Sequence, residues 1–442
     1  MEFVTDYKVE YYILHTRWEE FPAEVINRAR VCAVDLMAAL TIGSRGRQFN
    51  AGLSLAGLVN GGGDIPIVGS KKTFGFLGAV TAMGHAANAF DIDDGHNMIK
   101  GHPGASFIAG ALAAALEKNI TYKAFLTGLV VSYELTIRCG LAIQRHYNYY
   151  HSSGSYGAFG TAAAVGRIYG FTREQLNTVL SIAEYHAPMT PVMHAVRYPS
   201  MNKDGISLGS IIGALAVLET LAGVSGRGYL LEAPEFKPLA ETLGSRHEIM
   251  NLYFKPYTCC RWAHQPIRAC IELMNEHGFG HGQIERVKIY TFAAAANLSS
   301  SVPKSTDEAQ YNILYPVACA LVYRDVGFLQ VIEDNLNDRH VLDLMDRIEF
   351  VIDPELDGQF PQKRYARVEI TLDCGQTLCS RAVEADGEAS DGVDFDWIAN
   401  KFKRITRFMY DDKSQDAILN VLNGPLDISM REIITMINKC MF

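Results

Sequence analysis

The chain has 442 residues, 48% of them hydrophobic and 20% charged, with a formal net charge of −9. That length allows two domains with separate cores, and the negative balance excludes the basic surface a phosphate backbone demands, so nucleic acid is not an expected partner. The opening residues, MEFVTDYKVEYY, lack the basic-then-apolar order of a signal peptide, and apolar runs such as 105–116 fall short of the about 20 residues of a bilayer span. Nine scattered cysteines suit a reducing compartment better than a disulfide framework, so the expectation is a cytoplasmic protein without a membrane partner.

Residues 22–43 begin with Pro22 and repeat apolar side chains at Val25, Ile26, Ala29, Cys32 and Leu36, the spacing of a helix that stops at Gly43. The Gly-rich stretch 60–75 reads as a turn with one short strand, its glycines not spaced to cradle phosphate. Helices built on Ala and Gly follow at 76–90, 104–117 and 122–142, where small side chains permit close helix–helix approach. More are predicted at 155–169, after the capping box Thr172-Arg173-Glu174-Gln175, and at 207–222. The first 265 residues therefore read as all-helical.

The pattern then changes. A helix at 266–277 leads into an alternating strand at 285–292, joined by a strand at 347–352 and a hairpin over 365–384 that turns at Asp373 and Gly375. Helices at 308–323 and 327–336 lie between them, and 385–395 reads as a polar linker. Helical patterns resume at 397–409 and 414–422, and Ser429-Met430-Arg431-Glu432 caps a last helix. The expected fold is mainly α: a helical domain over 1–265, an inserted smaller α+β lid domain over 266–395, and C-terminal helices over 396–442 returning to the first domain.

The densest chemistry lies in Asp91-Ile92-Asp93-Asp94-Gly95-His96, followed by His102-Pro103-Gly104. Three carboxylates and two imidazoles between apolar helices need partners or a task. Three other clusters also precede helix starts: His151-Ser152-Ser153-Gly154, Lys203-Asp204-Gly205, and the run Lys255 to His264. If these helix ends converge, free N–H groups and cationic side chains would form an anion site with imidazoles placed for proton transfer. Loops also carry polar residues for no functional reason, which is the plainer reading of any single cluster. Around Asp91 the alternatives are a divalent-metal site, a proton-donating aspartate as in helical terpene cyclases, and a carboxylate–imidazole acid/base pair; the last suits the whole chain best. Cys259-Cys260 with His264 lacks the second pair a zinc site needs. His15, His146, His247, His281 and His340 read as surface or capping residues, whereas His186 and His194 lead toward Lys203.

With HAANAFDIDDGH…GHPG, HSSGSYGAFGTAAA, AEYHAPM…YPSMNKDG, KPYTCCRWAHQPI and DEAQYNILYPVA, the chain resembles the MmgE/PrpD family, which includes 2-methylcitrate dehydratases, cis-aconitate decarboxylases and an iminodisuccinate epimerase. The resemblance implies a helical domain with a smaller lid, a site between them, a homodimer, and chemistry without metal or cofactor. It also implies that Asp91, His102, His151 and Lys203 are active-site residues and that Lys255 and Tyr315 join them from the lid boundary. Arg261 is added on charge and position. The expected role is a lyase on a small di- or tricarboxylate, a hydro-lyase of the 2-methylcitrate dehydratase kind, with a cis-aconitate-type decarboxylase or an iminodisuccinate-type epimerase as the alternatives: His102, oriented by Asp91, as base, His151 as acid, and Lys203, Lys255 and Arg261 as a carboxylate clamp, with Asp93 and Asp94 bracing the loop. A protein that only binds polycarboxylates would not require the acid/base pair. Gly95 stands where many members carry Thr after the aspartates and is followed by His96, and the two mark this chain's own departure.

Overall fold

The computed structural model describes residues 7–441 except Asn148; the first six residues, on which the reading of the N-terminus partly rests, lie outside them. The chain is mainly α, with 59% helix against 9% strand.

The longer helices are α1 (Ala23–Gly43), α2 (Arg47–Asn60), α3 (Phe76–Ala87), α4 (Pro103–Glu117), α5 (Tyr122–His146), α6 (Gly154–Tyr169), α7 (Arg173–His186), α8 (Ile206–Leu221), α9 (His264–His277), α10 (Leu314–Tyr323), α11 (Phe395–Thr406), α12 (Asp412–Asn423) and α13 (Met430–Lys439). Helix α2 and a short N-terminal helix, Lys8–His15, are additions to the elements expected from the sequence. The caps at Thr172 and Ser429 form as their spacing predicts, each hydroxyl accepting from the backbone N–H three residues on.

Helices α3, α4, α6 and α8 pack on one another through their small-residue faces. Glycine makes this possible: a Cβ at Gly110 or Gly213 would collide with Thr161 on α6. Helix α5 is long and apolar enough in composition to cross a bilayer, yet it is almost wholly buried against its neighbours, as a core helix is.

The strands are β1 (Ile65–Pro66), β2 (Thr73–Phe74), β3 (Gly95–His96), β4 (Leu252–Tyr253), β5 (Ile284–Thr291), β6 (Ile348–Ile352), β7 (Ala366–Leu372) and β8 (Thr377–Cys379). The last four form a mixed sheet in the order β6-β5-β7-β8, with β5–β6 parallel and the other pairings antiparallel. Helix α9 packs on β7 and on α10. The buried apolar side chains form one continuous core from α1 through the sheet to α13.

Three expectations need correction. The first 265 residues are not all-helical, because β3 pairs antiparallel with β4, Gly95 opposite Tyr253, tying the acidic loop to a segment 158 residues further along the chain. The single helix predicted over 308–323 is two, Thr306–Gln310 and α10, with Tyr311 at the break; Pro316 inside the first turn of α10 cannot continue a preceding helix. The polar stretch 385–395 is not a loose linker: Gly387 accepts from the Phe254 N–H, and Glu388 is buried.

Candidate active site

The loop between α3 and α4 hangs on three lysines from distant parts of the chain. Lys203 Nζ donates to Ala89 O (2.8 Å), Lys255 Nζ to Asp91 O (3.1 Å) and Lys401 Nζ to Ile92 O (2.6 Å). These carbonyls belong to neither a helix nor a sheet and are buried, so each needs a donor. Asp91 itself sits at φ +51°, a left-handed conformation that aspartate tolerates better than most residues.

Within this frame the three aspartates diverge. Asp93 Oδ2 lies 3.0 Å from His102 Nδ1 and its Oδ1 accepts from Asn88 (2.5 Å). Asp91 Oδ1 lies 3.4 Å from His102 Nε2 and 2.8 Å from Lys255 Nζ. His102 is thus flanked by two carboxylates, and Asp93, not Asp91, makes the closer contact; Asp93 is no mere brace. Burial and then the Lys255 charge push the His102 pKa down, but Asp93 and Asp91 outweigh them, and it stands above the usual histidine value. Burial likewise opposes charge on Asp93, yet His102, followed by Lys255 and Asn88, holds its carboxyl below the usual range. Lys255 is kept above the ordinary lysine value, since Asp91, Tyr253 and Asp93 together overcome its burial.

Asp94 turns the other way. It accepts from the Gly104 N–H at the start of α4 (3.1 Å) and from the Tyr133 hydroxyl. A Cβ at residue 104 would overlap both the carboxylate and that hydroxyl, so only glycine permits this approach. Burial and the nearby Asp35 carboxylate raise the Asp94 pKa to about 7.

The helix-start clusters converge in part. Ser153, from the second cluster, accepts from the His102 backbone N–H (2.9 Å) and from Tyr156 (3.0 Å), and the Gly154 N–H donates to Asp204 O (3.0 Å). A cavity of about 160 Å³ opens beside His102, with Asp91, Asp204, Lys255, Arg261 and Tyr311 on its walls. Arg261 is held by Glu388 (2.7 Å) and stacks over Tyr253 at 4.6 Å. Gly95 is explained by the same ring, which a Cβ at 95 would penetrate. Buried His96 lies 3.8 Å from Glu248.

Of the residues expected from the sequence, Asp91, His102, Lys255 and Arg261 share this cavity; His151, Lys203 and Tyr315 are not among its lining residues. His151 is buried against the rings of Tyr147 and Tyr149, and among the described residues neither ring nitrogen has a hydrogen-bond partner. Lys203 faces a larger neighbouring groove, with its ammonium on Ala89 O and Gln310 Oε1 (2.5 Å). Tyr315 donates to Gln330 O (2.7 Å) in a separate recess. Its place is taken by Tyr311, four residues earlier, whose hydroxyl reaches Asp204 Oδ1 at 3.4 Å. Burial, opposed by His102, raises the Asp204 pKa. Asp204 and Tyr311 belong to the Lys203-Asp204-Gly205 and DEAQYNILYPVA motifs, whereas Lys100 and Arg364, which also line the cavity, stand in no motif that marks them.

Ligand atoms of Asp91, Asp93 and His102 lie within 4.8 Å of one another, close enough to grip a divalent ion. Asp91 is already paired with the Lys255 ammonium, which an ion would have to displace. Cys260 also reaches the cavity, and burial pushes its thiol up to about 12.

Two cis-aconitate decarboxylases from Aspergillus terreus are similar along nearly the whole length: one is 23% identical over 446 aligned residues, covering 92% of this chain and 90% of the relative. The other, from strain NIH 2624 / FGSC A1156, is 23% identical over 432, covering 89% and 87%. The family description "MmgE/PrpD N-terminal domain" matches residues 9–235, which contain the loop, and "MmgE/PrpD C-terminal domain" matches 257–423, which contain Arg261 and Tyr311. With both halves matched around one polar cavity, the chain belongs to the MmgE/PrpD family.

Proposed function

We propose that the protein is a lyase acting on a small di- or tricarboxylate, and that its reaction is dehydration of a hydroxy acid of the 2-methylcitrate kind. The observation that carries this reading is His102, flanked by Asp91 and Asp93 in a cavity that also holds Lys255. Asp93 on Nδ1 fixes the ring and makes Nε2 the more basic, so Nε2 is the atom that takes a proton from the carbon next to a carboxylate. Negative charge then builds on the carboxylate oxygens, and the Lys255 ammonium, preset by Asp91, stabilises it.

Loss of hydroxide needs an acid. Asp204, whose raised pKa keeps its proton above the usual carboxylate range, supplies one with Tyr311 bonded to it. The acid role expected of His151 passes to this pair, because the His151 ring is off the cavity wall. A second proton-handling group favours dehydration; decarboxylation needs one proton delivered to carbon. Decarboxylation is the second reading, favoured by what the two relatives are named for. Citrate, 2-methylcitrate and cis-aconitate, each incubated with the enzyme in D₂O and followed by NMR, separate the two. An alkene from the hydroxy acids supports dehydration, and CO₂ release from cis-aconitate supports decarboxylation. No turnover or exchange with any of them would sink the lyase reading.

A further inference from the structure

Most cations around this cavity are already committed. Lys255 is bound to Asp91, Arg261 to Glu388, Lys203 to Ala89 O and Gln310, and Lys401 to Asp35 (2.5 Å). Two cations on the cavity wall differ. Arg364, which precedes β7, is only 4% exposed, yet among the described residues it makes no hydrogen bond or ion pair, and its Nε is sealed without an acceptor. Glu388 is the acidic side chain whose charge it influences, but that carboxylate spends Oε1 on Arg261 and Oε2 on Asn97. Lys100, on the acidic loop, lies over the Tyr150 ring at 3.8 Å and has no carboxylate partner among the described residues.

A buried guanidinium without an acceptor loses its hydration with no return unless something occupies the space it faces. Lys100 adds a like charge: burial first, then the Arg364 charge, bring its pKa down to about 8. Such a pair gains most from an anion, and the planar fork of an arginine matches a carboxylate. Both residues share the cavity with His102 and Lys255.

We propose that Arg364 and Lys100 form a second carboxylate subsite, which holds a substrate carboxylate remote from the reacting carbon and so selects di- and tricarboxylates over monocarboxylates. This rests on the polycarboxylate reading above. It assigns Arg364 and Lys100 the binding work first expected of Lys203, and it gives the segment before β7 a direct part in recognition.

The test is calorimetric titration of citrate and cis-aconitate, with crotonate as the monocarboxylate probe, into wild type and the variants Arg364→Gln, Arg364→Lys and Lys100→Gln. Losing a charge-assisted contact should weaken citrate and cis-aconitate roughly tenfold to a hundredfold in Arg364→Gln. Lys100→Gln should weaken them less, Arg364→Lys should recover part of the loss, and crotonate affinity should not change. Equal loss for all three probes would show a structural role and overturn the subsite, as would unchanged citrate binding. Should Arg364→Gln fail to fold, Lys100→Gln, on a half-exposed loop position, decides alone by the same pattern. Wild type that binds neither citrate nor cis-aconitate refutes the polycarboxylate reading; wild type that binds them, with variants that bind equally well, refutes only the subsite.

Discussion

Two buried acidic groups lie back to back across one short loop. On the cavity side, Asp91 and Asp93 face His102 and Lys255, and mutual attraction holds the Asp93 pKa below and the His102 pKa above their usual values. On the core side, Asp94 and Asp35 face each other with one ammonium, Lys401, on Asp35, and burial raises their pKa values to about 7 and about 6. Adjacent carboxylates of the same type thus do opposite things, because one side is supplied with a positive partner for each charge and the other is not. A loop can carry reactive charge into a cavity and still be anchored behind by a carboxyl that holds its proton.

The contrast can be broken from either side. The largest effect is expected from His102→Ala, which should lower kcat/KM by about 10²–10⁴ with the circular dichroism spectrum retained; near-full turnover would remove His102 from the chemistry. For wild type, kcat/KM should rise as pH climbs past 6.5 toward the raised His102 value, because the base must first shed its proton. Next comes Lys255→Met, which strands the Asp91 carboxylate. Thermal and urea unfolding should show a loss of about 3–5 kcal/mol in addition to the rate defect, and wild-type stability would mean that Asp91 does not depend on this lysine.

On the core side the effect is smaller and of another kind. Asp94 holds its proton to about pH 7 when folded and releases it near the ordinary carboxyl value of 3.8 when unfolded. Its contribution is therefore complete at low pH and declines between about 4 and 7, by at most about 1.4 kcal/mol per pH unit for the one proton. Asp94→Asn should flatten that decline in urea midpoints measured across the range and change turnover much less than His102→Ala does. An unaltered slope would show that Asp94 is ionised after all. The smallest effect is expected from metal removal: dialysis against EDTA, then readdition of Mg²⁺, Mn²⁺ or Zn²⁺, should leave the rate unchanged, since Lys255 supplies the charge at Asp91. A metal-restored rate would reassign Asp91, Asp93 and His102 as ligands.

What the sequence made legible was local. Helix ends at Thr172 and Ser429 follow from hydroxyls and acceptors three residues apart, and the Ala/Gly periodicity fixes α3 to α6 within a few residues. Asp91 and His102 stand out because polar density between apolar helices has few innocent explanations. What stayed hidden was long-range. Lys203 looks like a clamp until its acceptor, Ala89 O, is seen 114 residues away. Tyr315 came from the family resemblance, and the helical pattern over 308–323 gave no sign of the break before α10 that sets Tyr311 on the cavity wall instead. Arg364 has no local signature at all; only its burial without an acceptor distinguishes it.

The loop's suspension from Lys203, Lys255 and Lys401 also bears on the order in which the molecule assembles. Each helix of the core can form from nearby residues, whereas the acidic loop reaches its shape only when three ammonium groups arrive from 114, 164 and 309 residues downstream. Contacts of that span form late, because chain closure must precede them. During refolding from urea, far-UV ellipticity should therefore return before turnover, and a chain still emerging from the ribosome would carry His102 long before it could use it.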